Sequence, residues 1–271
     1  MEARSYLFVP GNRPERFAKA LASGADAVVL DLEDAVADDA KSSARDAIAR
    51  WAAAAPAAQR ERIVVRINDA ASAHFADDLR LLREAAMLDV MLPKAEHEEP
   101  LVAVRQALPG ARLLPLVETA RGIAHCEAVA AASGVVRLVF GTLDLALDLE
   151  LDIAVDNEPL AEAASRLVIA SRLAGLALPV AGVTPQVDDE ARLMADFDWA
   201  RRRGFGAKLC IHPRQVPAVH AALAPNDVEL EWARRVIAAD AASPGAALLD
   251  GRMVDRPVVL QAQRTLRRAG V

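Results

Sequence analysis

Eight short apolar runs recur along this chain, and each ends in polar or Gly/Pro-bearing residues. The runs cover residues 6–10, 27–31, 63–67, 90–93, 113–117, 136–140, 180–183 and 207–211. Nearly continuous apolar runs of this length are typical of strands that are buried on both faces of a parallel sheet. The stretches between them, such as 71–87 and 160–173, have the apolar spacing of helices. Strand alternating with helix predicts repeated βαβ units.

Polar side chains follow most of these runs directly. They are Asn12, Arg13, Asp31, Glu33, Asp34, Arg66, Asn68, Lys94, Glu118, Asp144, Thr184 and His212. A closed barrel gathers eight strand ends around one pocket, whereas an open doubly wound sheet spreads them along an edge. We therefore predict an α/β fold of the (β/α)₈ TIM-barrel type, with the open sheet as the alternative.

Two further helical stretches, 227–239 and 256–268, follow the eighth run. The segment 241–251 separates them, and its Pro, Gly and small residues predict a flexible connection. The predicted organisation is a catalytic barrel domain over residues 1–240, followed by a C-terminal connection and helix over residues 241–271.

Charge and composition exclude several classes of function. Asp and Glu outnumber Lys and Arg by 38 to 32, which argues against a protein that binds duplex nucleic acid through a basic face. No apolar run approaches the length of a membrane-spanning helix, and the first residues lack the apolar core of a secretory signal. The two cysteines, Cys126 and Cys210, do not form a disulfide framework, so we expect a reduced, cytoplasmic protein.

Two carboxylates are candidates for metal binding. Glu118 directly follows the fifth run and Asp144 follows the sixth. In a barrel, both side chains would therefore lie at the end where the strands finish. Two oxygen ligands, with room for water and substrate, suit Mg²⁺, whereas no Cys/His cluster has the spacing of a zinc site. The alternative, which the spacing leaves open, is that the two carboxylates cap helices or pair with arginines.

Arg66 lies inside the apolar run 63–67 and therefore needs an anionic partner. Its planar guanidinium matches a carboxylate bidentately, so the partner is either a bound anion or an internal acid such as Glu33 or Asp34.

Basic residues open the first helical stretch. Arg13, Arg16 and Lys19 follow the first run, close to a predicted helix N-terminus that also favours anions. They form either a site for ligand phosphates or a solvated basic face.

Six segments resemble the citrate lyase beta-subunit family, which is related to the malyl-CoA lyases and the HpcH/HpaI aldolases. They read SYLFVPGNRPERFAKALASGADAVVLDLEDAV, VVRIN, LPLVETARGI, FGTLD, GFGAKLCIHPRQ and DGRMVDRPVV. The motifs occur in the family's order, and the resemblance spans Arg4 to Ala269. The resemblance implies a TIM barrel, commonly trimeric, that acts as a Mg²⁺-dependent carbon–carbon lyase on acyl-CoA thioesters.

The resemblance also implies roles for residues at the barrel mouth. Glu118 and Asp144 match the two metal-binding carboxylates of the family. Arg66 matches an arginine that contacts substrate oxygens, and Glu118 likewise borders the substrate. Glu33 and Asp34 match an acidic pair beside the metal.

Other matches concern the coenzyme and a lid. Phe8, Arg13 and Lys19 match positions that hold CoA. Asp255 matches an aspartate that relatives bring, on a C-terminal lid, into the active site of a neighbouring subunit. The connection 241–251 is compatible with such a lid.

The expected reaction is cleavage or formation of a 3-hydroxyacyl-CoA such as citryl-CoA or malyl-CoA, with acetyl-CoA and a 2-oxo acid on the other side. In this reaction Arg66 would offset developing negative charge, and Asp255 would move the proton at the enolate carbon. The alternatives are a malyl-CoA thioesterase, a pyruvate aldolase that uses no CoA, and a non-catalytic subunit.

Overall fold

The computed structural model describes residues 3–243, 245 and 247–270 of the chain. The chain divides into two compact units, one up to Val219 and one from His220 onward. The first unit contains all eight predicted strands. Of the predicted connection 241–251, Pro244 and Ala246 lie outside the described residues, as do the chain ends at 1–2 and 271.

Eight parallel strands close into a barrel in the first unit. They are β1 (Ser5–Pro10), β2 (Ala27–Asp31), β3 (Ile63–Arg66), β4 (Asp89–Leu92), β5 (Arg112–Val117), β6 (Val139–Phe140), β7 (Val180–Ala181) and β8 (Ala207–Cys210). Each strand pairs with the next, and β8 pairs with β1 through Ser5–Lys208 and Leu7–Cys210. The prediction of a closed (β/α)₈ barrel is thereby confirmed.

One or more helices follow each barrel strand along the chain. They are α1 (Phe17–Leu21), α2 (Lys41–Ala54), α3 (Ala57–Arg60), α4 (Phe75–Glu84), α5 (Glu99–Ala107), α6 (Ala120–Ala124), α7 (Cys126–Ala131), α8 (Thr142–Asp148), α9 (Ala161–Leu173), α10 (Glu190–Arg202) and α11 (Gln215–Leu223). Short 3₁₀ turns precede α1, α2 and α9. No helix among the described residues is both long and apolar enough to cross a membrane.

Strand alternation determines which side chains fill the barrel. Every second residue points inward, so Val29 of β2, Val64 of β3 and Leu116 of β5 belong to one buried cluster. Two residues further on, the same alternation reaches Asp31 and Arg66, where these strands end. The sequence thus places charged residues directly above an apolar core at the carboxyl end of the barrel.

Two strands are shorter than their apolar runs. The runs 136–140 and 180–183 contribute only two residues each to the sheet as β6 and β7. Within the first of these runs, the buried guanidinium of Arg137 donates to the backbone carbonyls of Ala3 and Leu178. These bonds tie the run 136–140 to the segments that precede β1 and β7.

The second unit has a small core of its own. It contains α12 (Asp227–Ala242), β9 (Ala247–Leu249), β10 (Arg252–Val254) and α13 (Arg256–Ala269). Asn226 and Glu229 form a capping box at the start of α12, which packs on α13 within this unit. Asp250 and Gly251 both have positive φ, which suits the tight antiparallel turn between β9 and β10.

Candidate active site

A cavity of about 360 Å³ opens where the barrel strands end, which is where barrel enzymes carry their active sites. Its walls combine charged residues with large apolar ones. The lining residues are Phe8, Asp31, Asp34, Ala35, Arg66, Leu116, Glu118, Phe140, Gly141, Thr142, Leu143, Asp144, Val183, Leu209 and Ile211.

Arg66 is held in place by an acid on the adjacent strand. The Cα atoms of Asp31 and Arg66 are register partners, and both side chains point inward. Arg66 Nε donates to Asp31 Oδ1 and Nη2 donates to Asp31 Oδ2, each at 2.7 Å. The guanidinium also lies over the ring of Phe8, with Cζ 4.9 Å from the ring centroid. This bidentate pair fixes the plane of the guanidinium at the cavity wall.

The two acids expected to pair with Arg66 do so, but Asp31 makes the closer pair. Arg66 Nη1 lies 2.8 Å from Glu33 Oε2 and 3.4 Å from Asp34 Oδ2. Asp31 was not predicted to be a partner of Arg66. Its position two residues after the inward-facing Val29 in the same strand does indicate that its side chain points inward.

Glu33 is a buried acid that connects two cations. Its Oε1 accepts from Lys94 Nζ, while Oε2 has no hydrogen-bond partner of suitable geometry among the described residues. Burial raises the pKa of Glu33, and the positive charge of Arg66 opposes that rise. The predicted acidic pair therefore lies beside the cavity, and with Asp31 it places three carboxylates around the two cations Arg66 and Lys94.

Glu118 is almost completely buried, with 2% of its surface exposed. Its Oε1 accepts a hydrogen bond of 2.8 Å from the backbone N–H of Lys94, a residue in the left-handed conformation with φ of 49°. Burial raises the pKa of Glu118 to about 8, and the charges of Glu33 and Asp144 add to the rise. The site thus disfavours a bare carboxylate at position 118 and favours one that is matched by a cation.

Asp144 reaches the same cavity from the next element around the barrel. It lies in the first turn of α8, is exposed, and lines the cavity together with Glu118. Gly141 precedes this helix, and a Cβ atom there would lie 2.3 Å from Glu118 Cβ and 2.6 Å from Glu118 Oε2. Only glycine leaves space for the Glu118 carboxylate in this position.

The donor set fits a hard divalent cation. Five carboxylates lie in or beside the cavity, and two cations, Arg66 and Lys94, pair with members of this group. The carboxylates are those of Asp31, Glu33, Asp34, Glu118 and Asp144. Among the described residues, no three His, Cys, Asp or Glu side chains are grouped so as to enclose a metal. Two carboxylates that leave the remaining positions to water and substrate suit Mg²⁺ rather than zinc.

Lys41 is a supporting residue that sequence analysis missed. Its buried Nζ donates to the backbone carbonyls of Leu32 and Glu33 at 3.0 and 3.1 Å and to Asn68 Oδ1 at 2.6 Å. Asn68 in turn donates to Asp78 through both its backbone and its side-chain nitrogen. These bonds hold the loop that carries the acidic pair. A lysine at the start of a polar helix gives no signal of this role in the sequence.

The residues matched to CoA binding separate into two groups. Phe8 lines the cavity, whereas Arg13 and Lys19 are exposed and are not among the residues that line it. Arg13 Nε donates to Glu15 Oε1 at 2.7 Å. Asp255 lies in the second unit, where its Oδ1 accepts from the backbone N–H of Val258 and caps α13. The predicted roles of Arg13, Lys19 and Asp255 stay predictions.

Known proteins resemble this chain over nearly its whole length. The model of the HpcH/HpaI aldolase/citrate lyase family matches residues 4–213. A citrate lyase subunit beta-like protein of Mycobacterium tuberculosis is 40% identical, over 98% of this chain and 95% of its own. A (3S)-malyl-CoA thioesterase of Cereibacter sphaeroides is 33% identical, over 98% of this chain and 94% of its own.

A solved structure shares the fold closely. The crystal structure of the CitE protein of Mycobacterium tuberculosis, in complex with magnesium, acetoacetate and coenzyme A, superposes with a TM-score of 0.90. It is 37% identical in sequence and covers 99% of this chain and 98% of its own.

Proposed function

The chain belongs to the HpcH/HpaI aldolase/citrate lyase family, and from its site we propose that it is a Mg²⁺-dependent carbon–carbon lyase acting on a 3-hydroxyacyl-CoA of the citryl or malyl type. The reaction breaks a carbon–carbon bond in the acyl group to give acetyl-CoA and a 2-oxo acid, or forms that bond from them. The observation that carries this proposal is the cavity in which Glu118, Asp144 and Arg66 converge at the carboxyl end of the barrel.

Glu118 and Asp144 are the residues that would hold the metal. When bound, Mg²⁺ would act as a Lewis acid on substrate oxygens and would offset the excess of carboxylates at the barrel mouth. Support for this assignment comes from the burial of Glu118 and from the magnesium in the CitE structure.

Cleavage breaks the bond between the hydroxyl-bearing carbon and the carbon next to the thioester. The hydroxyl loses its proton and becomes the carbonyl of the 2-oxo acid, while the bond electrons pass to the thioester as an enolate, which is then protonated. Arg66 stabilises the negative charge at the oxygens because Asp31 and Phe8 hold its guanidinium in a fixed plane. The protein supplies this donor already oriented, which is worth about 10²–10³ in rate for comparable groups.

Three further assignments follow the family resemblance. Asp255 would protonate the enolate carbon, so Asp255→Asn should slow cleavage without weakening Mg²⁺ binding.

Arg13 and Lys19 are exposed, so the phosphates of CoA can approach them from solvent. We also propose a homotrimer, which sedimentation of the purified protein would test.

A screen of citryl-, malyl- and methylmalyl-type CoA esters with Mg²⁺ tests the reaction, with acetyl-CoA and 2-oxo acid measured as products. Glu118→Gln and Asp144→Asn should each abolish turnover and Mg²⁺ binding measured by calorimetry. Glu127→Gln, an exposed glutamate on α7, is the matched control and should change neither. Unchanged Mg²⁺ binding in both active-site variants would show that the metal assignment is wrong.

Thioester hydrolysis is the second candidate, because one relative that matches the whole chain is a malyl-CoA thioesterase. The products separate the two reactions. Hydrolysis releases free CoA thiol and the intact hydroxy acid, whereas carbon–carbon cleavage releases acetyl-CoA and a 2-oxo acid with no free thiol. Release of thiol without any 2-oxo acid would select the thioesterase.

A further inference from the structure

The cavity wall that follows β7 and β8 is not held together by backbone pairing. The register of these two strands ends at Ala181 and Lys208, whereas Val183 and Ile211, which line the cavity, lie beyond that pair. Among the described residues, no backbone hydrogen bond joins the two segments that follow it. The side chain of Lys208 donates to the carbonyl of Gly182, the first residue past β7, at 2.8 Å. Nearer the cavity, a different side chain joins the two segments.

That side chain belongs to Gln215, the first residue of α11. Its Nε2 donates to the carbonyl of Thr184 at 2.9 Å. Its Oε1 accepts from the backbone N–H groups of Ile211 and His212 at 2.9 and 3.4 Å. One side-chain amide thus bonds to the segments after β7 and β8 at once, and it uses the same groups that a backbone amide would use.

The amide of Gln215 fits this place in one orientation. A carbonyl only accepts and a backbone N–H only donates, so the two ends of the amide are not interchangeable. Gln215 and Thr184 are 2% and 0% exposed, so loss of the amide would leave buried backbone groups without partners. The hydroxyl of Thr184 also donates to Asp196 of α10 at 2.7 Å, which anchors this segment from behind.

Thr184 and His212 follow the seventh and eighth apolar runs, yet they are not among the residues that line the cavity. Their backbone groups bond to Gln215, while their chain neighbours Val183 and Ile211 line it. Resting on the proposed function, we infer that Gln215 is a positioning residue, whose amide holds Val183 and Ile211 in the wall against which the thioester binds.

Two variants of Gln215 and two controls test this inference. Gln215→Met removes the amide and keeps a side chain of similar length, and Gln215→Asn keeps an amide that is too short to bond to both segments. Gln106→Met makes the first change at an exposed position of α5. Val104→Ala removes buried atoms from the same helix, which controls for a general loss of stability. The substrate is the ester that the wild type cleaves fastest among the citryl, malyl and methylmalyl types.

Gln215→Met should raise the KM for that ester at least about tenfold and keep kcat within about threefold, because a wall contact serves bound substrate and transition state alike. Gln215→Asn should raise the KM less. The affinity for Mg²⁺, measured by calorimetry, should stay at the wild-type value in both, since Glu118 follows β5 and Asp144 lies on α8. Gln106→Met and Val104→Ala should keep the wild-type KM.

A role in stability alone would give a different result. Partial unfolding lowers the concentration of active enzyme, so the apparent kcat would fall while the KM stayed constant. Residue-resolved hydrogen exchange adds a readout that needs no substrate. In the wild type, the Ile211 amide should exchange at least about tenfold more slowly than that of His97, an exposed loop residue whose N–H has no backbone acceptor among the described residues. Gln215→Met should remove this protection.

The outcomes separate this inference from the proposed function. A raised KM together with lost protection of Ile211 supports it, and Gln215→Asn carries the same test if Gln215→Met does not fold. An unchanged KM in a folded, active variant overturns the inference alone, as does an Ile211 amide that exchanges as fast as that of His97 in the wild type. A wild type that cleaves no thioester overturns the proposed function and the inference with it.

Discussion

Gly141 approaches Glu118 so closely that any side chain at position 141 would compete with the carboxylate for space. The nearest atoms to an added Cβ belong to the Glu118 side chain, at 2.3 and 2.6 Å. We expect Gly141→Ala to displace the carboxylate and to lower the affinity for Mg²⁺ at least about tenfold, as loss of a supporting contact at a metal site does. Isothermal titration calorimetry with Mg²⁺ measures this directly.

Leu147→Ala is the control for that experiment, because it adds no atom near the site and changes an exposed residue of the helix that follows Gly141. Its Mg²⁺ affinity should equal that of the wild type. An unchanged affinity in Gly141→Ala would mean that Glu118 is not a ligand or that its backbone moves freely.

Lys94 contributes through its backbone conformation as well as its side chain. Its φ of 49° directs the backbone N–H to Glu118, and its Nζ pairs with Glu33. Lys94→Gly and Lys94→Ile both remove Nζ, but only glycine adopts the left-handed conformation without strain. The isoleucine variant should therefore bind Mg²⁺ about tenfold more weakly than the glycine variant.

Stability should follow the same order, because a β-branched residue forced into this conformation costs about 1–3 kcal/mol. Urea unfolding should therefore show Lys94→Ile to be the less stable of the two. If the two variants have equal Mg²⁺ affinity and equal stability, the backbone of Lys94 does not position Glu118.

At the scale of elements, a layer of buried polar side chains from β8 and α10 bonds to the segment that follows β7. Lys208 of β8 points away from the barrel core and donates to the carbonyl of Gly182 at 2.8 Å. On α10, Asp196 accepts from Arg192 and from Thr184, each at 2.7 Å. Burial lowers the pKa of Lys208 to about 8, with the charge of Asp196 opposing that shift. In the folded protein, the buried surroundings of Lys208 thus disfavour its positively charged form.

This layer predicts a specific dependence of stability on pH. The pKa of Lys208 is about 8 in the folded protein, below the ordinary lysine value of 10.5 that applies to the unfolded chain. Between these values the unfolded chain binds more protons, so the free energy of unfolding rises with pH. Relative to Lys208→Met, the wild type should gain on the order of 3 kcal/mol from pH 8 to 10.5.

Urea unfolding of both proteins at pH 7, 8, 9, 10 and 10.5 measures that difference, and all other titrating groups cancel in the comparison. The two stabilities should differ by a constant amount below pH 8 and converge or cross above it. Parallel curves throughout this range would show that Lys208 titrates as an ordinary lysine.

The elements were largely predictable because the barrel strands are buried on both faces. Burial on both faces requires continuous apolar runs, and such runs can be recognised in the sequence. The lengths of β6 and β7, two residues each, were not predictable from their apolar runs, because an apolar run does not show where its backbone stops pairing with the next strand. The pairing of Arg66 with Asp31 depends on strand register, which a single chain does not reveal without the closed sheet.

At the scale of the whole molecule, closure of the barrel is what brings distant residues to one cavity. Glu118 and Asp144 were predicted to be metal ligands from their positions after adjacent strands and from the family resemblance. Lys94 was placed at the barrel mouth, but the supporting contacts of Lys41, Lys94 and Gly141 were not predicted, because they arise between loops that are far apart in the chain. The fold and the positions of the charged residues can therefore be predicted from local sequence patterns. The residues that hold the site in place cannot, because tertiary contacts determine them.

The two units differ in the size of their apolar cores, and this predicts unequal local stability. Among the described residues, the buried cluster of the second unit has five side chains, all alanine or valine, whereas the cluster inside the barrel has eleven, including Met91, Leu114 and Leu116. Local opening is less costly where less apolar surface is buried. Hydrogen exchange monitored by mass spectrometry should therefore show the backbone amides of α13 exchanging at least about tenfold faster than those of α2.

The comparison between these two helices is matched, since α13 and α2 both have 14 residues. Their amides differ mainly in what the helices bury: α2 buries Ile48 and Ala44 in the first unit, and α13 buries Ala262 and Thr265 in the second. Equal protection in the two helices would show that both units open together as one cooperative structure. Faster exchange in α13 would instead mean that the second unit opens while the barrel, and with it the Glu118 site, stays folded.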